Sequence, residues 1–484
     1  MLKQLIILLF GIPFILLACR HEPPLRPAVA DNYPEAVRNI FITRCAISGC
    51  HNAASHTAAG GLLLDSWEHL FDGGSNGAVI VPYSADNSPL LYFVNTYPDL
   101  GAVAEPTMPE NDAPLTRNEY LTIRNWIAAG APDVHGNIPF ASNPGTRQKI
   151  YTTQQGCDMV TVIDAEKNVV MRYIQAGTDF TTETPNYIQV SPDGRYAYIC
   201  YWNAPLLQKI DTRTDTIIAT LNTGGAYRKT LHISPDGSRL MLTNWLGQDI
   251  MIVNTTTMQV EKTYPAINFD NPESIASNAA FNTFYITARF GNTLYKISEN
   301  GSIQNISLDE KPVTTLHTST TPDPYRILMA KDHSRYFITC ENTGELRIMN
   351  TADDRLIKTI PIGKKPQEMA MSSTQPYLFI TCNDTLNASF VGTVYVINYN
   401  TLELVKKIEG DFFQPYGIAV DDRYGKVYVF NRNDDRNGPR PHHSSPCNGR
   451  NGYYLIYDLN TLEPANRKRY EISVDPYATD VRFK

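Results

Sequence analysis

From residue 149 onward, apolar and polar positions alternate with the two-residue period of half-buried strands, interrupted by clusters of Gly, Asn, Asp and Pro. Arg239–Asn244, Asp249–Asn254 and Gln259–Tyr264 read as three successive strands, and no stretch of this region sustains a helical period. The pattern repeats. Ser191-Pro-Asp-Gly194 recurs at Ser234-Pro-Asp-Gly237, and Tyr196–Asp211 aligns without a gap on Arg239–Asn254, an offset of 43 residues. A short, often Pro-containing lead-in opens each unit, at Pro185, Tyr227, Pro272, Pro324, Pro366, Pro415 and Pro476, seven in all. Only Thr479–Phe483 follows the last lead-in, whereas Lys149–Thr153, Met159–Asp164 and Val169–Gln175 have no first strand of their own. The C-terminal strand is therefore expected to complete the N-terminal blade and close residues 149–484 into a seven-bladed β-propeller without open edges.

Upstream the period changes. Val37, Ile40 and Phe41 share a face behind Pro34, which predicts a helix over 34–44 with Pro34 at its first position. Thr116 and Glu119 form a capping box for a second helix that carries Tyr120, Ile123, Trp126 and Ile127 and stops at Gly130. A small all-α domain over 31–136 and a linker over 137–148 are the expectation. At the N-terminus, Lys3 precedes the apolar run Leu5–Leu17, whose thirteen residues are too few to span a bilayer as a mature helix. Residues 1–18 therefore read as an export signal. Ala18-Cys19 resembles a bacterial lipoprotein box, which makes Cys19 the lipidated residue and 19–30 a tether. The alternatives are an uncleaved anchor or a plain signal peptide. A lipid anchor implies membrane attachment in the cell envelope, facing the periplasm or the cell surface.

The length of 484 residues calls for two or three folding units, and the net charge of −7 gives no reason to expect a nucleic-acid partner. Cysteines carry the candidate chemistry. Cys45-Ala-Ile-Ser-Gly-Cys50-His51 presents two thiols and an adjacent imidazole, the groups that attach a haem c and bind its iron. The usual spacing is C-x-x-C-H; two further residues intervene here, with Gly49 supplying slack. A Cys45–Cys50 disulfide, or zinc held with His51 and His56, are the other chemistries open to these residues. One methionine, Met108, occurs between residues 20 and 158, in a polar Pro-rich loop where packing does not explain it. It is the candidate distal ligand, ahead of His56, His69 and His135.

Cys45–His51, Gly61–Asp65, Asp72–Gly74, Val79–Pro82, Ser88–Leu91, Met108-Pro109 and Trp126–Ala131 together resemble the planctomycete-type cytochrome c domain. The resemblance implies one covalent haem c on Cys45 and Cys50, with His51 proximal and Met108 distal. In the propeller, Val160–Asp164 and Val394–Asn398 resemble YVTN-type repeats. The marks of WD40 repeats are missing. Quinoprotein dehydrogenases and the haem d1 propeller have eight blades, so a count of seven argues against both.

Loops between second and third strands share a rim with the lead-ins. That rim receives Trp202, Trp245, Arg289 and Phe290 and two long insertions, Asn383–Gly392 and Asn431–Gly452. Long loops on a rigid scaffold mark a candidate binding face; packing of the two tryptophans between blades is the alternative. Adjacent His442 and His443 diverge, which favours a solvated loop over a metal site. Disulfides 157–447 and 340–382, with Cys200 unbridged, compete with buried thiols. Three functions follow: electron transfer between a redox partner protein and something at the rim; a propeller that only positions a cytochrome in a membrane-bound complex; or an enzyme resembling cytochrome cd1 nitrite reductase, with a second cofactor in the propeller. No second haem motif supports the last.

Overall fold

The computed structural model describes residues 31–178, 182–383, 392–447 and 449–484. The expected signal, Cys19, the tether and residues 384–391 of one rim loop lie outside that set.

Residues 149–484 form seven four-stranded antiparallel sheets. Blades 1 to 6 begin with the inner strands Pro185–Val190, Arg228–Ile233, Pro272–Ser277, Pro324–Met329, Pro366–Met371 and Pro415–Asp421. Blade 7 combines Lys149–Gln154, Met159–Asp164 and Val169–Gln175 with the C-terminal Pro476–Val481, so the ring closes as the repeats require. The closing strand starts three residues earlier than expected, because Gln154 still pairs with Pro476.

Between each pair of neighbouring blades lies one apolar cluster, such as Tyr198, Leu207, Leu231 and Leu242 between blades 1 and 2. Outermost strands such as Thr216–Asn222 alternate exposed and half-buried residues instead. A repeated polar device fixes the inner strands. Each inner strand bulges at its start, and in blades 2 to 5 a Thr on the second strand accepts the bulge N–H: Thr243 from Thr230, Thr287 from Ser274, Thr339 from Arg326 and Thr381 from Glu368, at 3.0–3.2 Å, whereas blade 6 carries Phe430 there. The same hydroxyls reach the next blade, Thr287 donating to the Tyr325 carbonyl at 3.1 Å and Thr381 to the Tyr416 carbonyl at 2.7 Å. In blade 1 Cys200 takes this place, its thiol donating to the Arg228 carbonyl at 3.4 Å. Satisfying these buried groups stiffens the ring's inner wall.

The N-terminal unit is less helical than expected. Its described residues form four α-helices, α1 Glu35–Ile40, α2 Trp67–Leu70, α3 Pro89–Val94 and α4 Arg117–Ala128, and only α4 exceeds two turns. Residues 46–66 run as turns and bends, since no apolar period spans them. Pro34 caps α1 rather than opening it, and a wider π-type turn, Phe41–Cys45, continues that helix into the cysteine motif. Thr116 and Glu119 form the expected capping box. Tyr33, Phe41 and Trp126 meet in a buried aromatic cluster, with ring centroids 5.2–6.3 Å apart.

This unit packs on blades 6 and 7. Val81 joins the apolar cluster between them, Arg172 lies 4.4 Å over the Tyr83 ring, and the Glu471 N–H donates to the Asn76 carbonyl at 3.0 Å.

Candidate functional site

The cysteine motif leaves the end of α1 as a loop closed by the His51 N–H, which donates to the Cys45 carbonyl at 3.1 Å. Gly49 takes φ +84°, the left-handed conformation that lets the wider loop turn. Cys45 and Cys50 are half-buried and not bridged to each other. The disulfide alternative is therefore set aside. Among the described residues, no three His, Cys, Asp or Glu side chains converge as a metal-ion site, so zinc lacks its donor set here. Burial pushes the Cys45 thiol up to about 12 despite neighbouring Arg44. His51 Nδ1 lies 3.1 Å from the Leu62 carbonyl. That contact holds the Nδ1–H tautomer and leaves Nε2 as the lone-pair nitrogen, while burial lowers the imidazole's proton affinity and keeps it neutral.

Met108 packs half-buried against the same apolar cluster as Cys45 and Leu62. Its N–H donates to the Phe93 carbonyl at the end of α3 at 2.7 Å. Arg44, next to Cys45, pairs with Glu119 at 3.1 Å and so ties the motif to the cap of α4. Cys45 and Met108 pack on one apolar cluster, and Cys50 and His51 follow in the adjoining loop; two thiols, an imidazole with a fixed tautomer and a thioether are donor types that fit haem c. Of the other histidines, His56 has a buried Nδ1 without a partner. His69 is engaged by Asp65 at 2.7 Å on the surface helix α2, and His135 is exposed.

The rim assembles the residues expected there. Trp202 and Trp245, from neighbouring blades, are half-buried with ring centroids 5.6 Å apart. Tyr227 and Phe290 extend this ledge. Arg289 pairs with Glu341 and lies 5.1 Å over the Phe290 ring. The channel mouth beside the ledge is closed by tyrosines that the sequence reading missed. Tyr416 and Tyr477 stack at 3.9 Å, and their hydroxyls meet at 2.5 Å together with that of Tyr325. Lys229 donates to Tyr477 at 2.9 Å and lies 5.5 Å over Trp202. Burial opposes ionisation of that phenol, but Lys229, Arg326 and then Arg432, which lies 5.1 Å over the Tyr477 ring, together hold it below its ordinary value. Tyr325, Tyr416 and Tyr477 occupy one repeat column, second in each lead-in, and that column was the available signal.

The long blade 6 loop is not free in solvent. Cys447 forms a disulfide with Cys157 of blade 7. The His442 ring lies 5.1 Å from Phe93 and that of His443 5.9 Å from Tyr92, so the loop stacks on α3. Beneath it Glu471 accepts the N–H groups of His442 and His443. The other expected pair, Cys340 and Cys382, is not bridged: each thiol is buried in a different interblade cluster, and a whole blade wall separates them.

Residues 48–109 match the family model of planctomycete cytochrome C, a span that takes in Cys50, His51 and Met108 and starts just after Cys45. Residues 147–381 match that of the cytochrome D1 heme domain. This match corrects the expectation that seven blades set the propeller apart from the haem d1 type: the count describes how the ring closes, whereas the match rests on the repeated blades themselves. Antigen Lp49 of Leptospira interrogans is 22% identical over 245 residues, covering 48% of this chain and 52% of that protein. The match thus spans about half the length of that relative.

Among solved structures, a functionally unknown protein from Desulfotomaculum acetoxidans shares the fold at a TM-score of 0.50 and 13% identity, over 68% of this chain and 99% of that one. Hydrazine synthase of Kuenenia stuttgartiensis gives a TM-score of 0.46 and 15% identity over 62% of this chain and 92% of that one. Dihydro-heme d1 dehydrogenase NirN gives a TM-score of 0.48 and 12% identity over 92% of this chain and 98% of that one. The chain thus joins a segment matching planctomycete cytochrome c to a seven-bladed propeller matching the cytochrome D1 heme domain.

Proposed function

We propose that this chain is an exported electron-transfer protein in which Cys45 and Cys50 hold one haem c covalently and His51 and Met108 bind its iron. The observation that carries this reading is the arrangement at the motif: two unbridged thiols beside an imidazole whose Nδ1 is engaged by Leu62, with Met108 on the same apolar wall. When bound, the haem supplies one-electron chemistry. The chain's residues determine its setting. Leu62 orients the imidazole; the Phe93 carbonyl holds the Met108 backbone; the apolar wall excludes water, which favours the reduced state.

The rim is the face for the redox partner. The loop that stacks His442 on Phe93 joins the helix behind Met108 to that rim, so a group bound at the ledge and the motif share one supporting element. Cys19 would add a lipid anchor that keeps the whole at a membrane surface.

A second reading has a specific observation behind it. The cytochrome D1 heme domain match over residues 147–381 favours a further haem, held without covalent bonds at the rim. The Trp202–Trp245 ledge beside Lys229 and Arg289 suits a flat anionic group.

The distal ligand tests the first reading. Met108→Ala should lower the reduction potential, abolish the weak sulfur-to-ferric charge-transfer band and let the reduced protein bind carbon monoxide. Wild-type protein that already binds carbon monoxide and lacks that band would refute Met108 as the ligand. Haem released by acid–acetone from otherwise intact protein would count the second group.

A further inference from the structure

The outer strand of blade 6, Tyr470–Val474, carries two side chains that fasten the long loop of that blade. Glu471 holds the N–H groups of His442 and His443. Ser473 is 3% exposed, and its hydroxyl lies 2.8 Å from Cys157 Sγ, one half of the Cys157–Cys447 disulfide. A disulfide sulfur carries no proton, so the hydroxyl donates to it. Among the described residues, that sulfur is the only hydrogen-bond partner of the Ser473 hydroxyl.

This hydrogen bond makes the two sulfurs unequal. A thiolate attacks one sulfur of a disulfide and expels the other, and the sulfur that forms the better stabilised thiolate leaves faster. A hydrogen bond strengthens as its acceptor gains charge. The Ser473 hydroxyl therefore favours Cys157 as the leaving sulfur and directs attack to Cys447. Access agrees with that order. Both cysteines are half-buried, but Pro446 and Gly449 beside Cys447 are exposed, whereas buried Ser473 already lies against Cys157.

The loop depends on this bond. Among the described residues, 444–447 make no hydrogen bond, and the Ser445 hydroxyl is buried without a partner. The disulfide thus ties that part of the loop to blade 7.

We propose that Cys157–Cys447 is a thiol–disulfide exchange site for a dithiol, attacked at Cys447, with Ser473 stabilising the departing Cys157 thiolate. The first thiolate of the dithiol bonds to Cys447 Sγ, and the electron pair of the broken S–S bond leaves on Cys157, which takes a proton from solvent. The second thiolate then closes on the first sulfur of the dithiol and expels Cys447. The protein gains two electrons and two protons, and the dithiol becomes a disulfide. Freed from blade 7, the loop loosens its His442 and His443 stacks on Phe93 and Tyr92. The exchange itself does not depend on the haem.

Full-length protein whose accessible thiols have first been blocked tests the proposal with two probes. Glutathione should form a mixed disulfide at Cys447 and leave Cys157 free, identified by peptide mass after alkylation. Dithiothreitol should reduce the pair while the propeller stays folded, and Ser473→Ala should slow that step by about threefold or more. Reduction should also speed amide exchange in residues 442–447 and in α3. Glutathione attached to Cys157, an undiminished rate in Ser473→Ala, reduction only after the propeller unfolds, or unchanged amide exchange in the loop would each overturn the proposal. Should Ser473→Ala not fold, the sulfur that carries glutathione in the wild type decides.

Discussion

Replacing Glu471 with Gln should make the protein newly sensitive to acid. Glu471 is 7% exposed, lies 3.1 Å from His443 Nδ1, and accepts the backbone N–H groups that shape the blade 6 loop. Burial raises its carboxyl from 4.5 to about 7, with Arg469 and the two N–H groups opposing. Burial lowers His443 from 6.5 to about 4, and neighbouring His442 adds to that shift. Tyr92, across the loop, contributes a ring face and no charge.

Between pH 4.5 and 6.5 the unfolded pair holds one proton, on the histidine, and the folded pair also holds one, on Glu471 or shared with His443. Equal proton counts give no pH dependence from this pair. In Glu471→Gln only His443 remains. Folded protein then binds one proton fewer than unfolded protein, so stability is present above the unfolded value and lost as pH falls towards about 4. The limiting slope is about 1.4 kcal/mol per pH unit. Relaxation around the exposed neighbour His442 reduces the total to an order of 1–2 kcal/mol. Urea unfolding followed by tryptophan fluorescence at intervals across this range measures it. Parallel profiles for variant and wild type would refute the paired-proton argument.

Cys200→Thr should be neutral or slightly stabilising, because it restores the hydroxyl that other blades use, whereas Cys200→Ala should cost about 1–3 kcal/mol by orphaning a buried N–H; thermal midpoints of the two variants separate these outcomes. Deleting residues 476–484 should destabilise the whole propeller by exposing the edge of Lys149–Gln154, and an unchanged midpoint would contradict ring closure. Cys157→Ser should loosen the blade 6 loop without unfolding the ring, since blades 6 and 7 also share an apolar cluster; faster amide exchange confined to residues 432–450 and their contacts on α3 is the expected signature.

Much of the propeller was legible because each blade repeats the same local pattern and carries its own lead-in. The 43-residue offset even aligns Cys200 with Thr243, so the blade 1 exception was present in the sequence. Contacts between blades were less accessible. Cys340 and Cys382 end equivalent strands, yet equivalence places each in its own interblade cluster rather than bringing the two together. Cys157 and Cys447 differ in that both lie in loops, where neighbouring blades come within reach. Glu471 carries no motif; its role arises only because the blade 6 loop folds back under α3. The N-terminal unit was overestimated as helical because two strong helix signals flank a long segment without any period.

Covalent attachment of haem at Cys45 and Cys50 is the claim on which the functional account rests. Intact mass of the purified exported protein, measured after acid–acetone extraction, tests it directly. The account expects the mass of one haem added to each chain and its loss in the Cys45→Ala, Cys50→Ala double variant. A chain mass without haem, or haem that is wholly extracted, would contradict it.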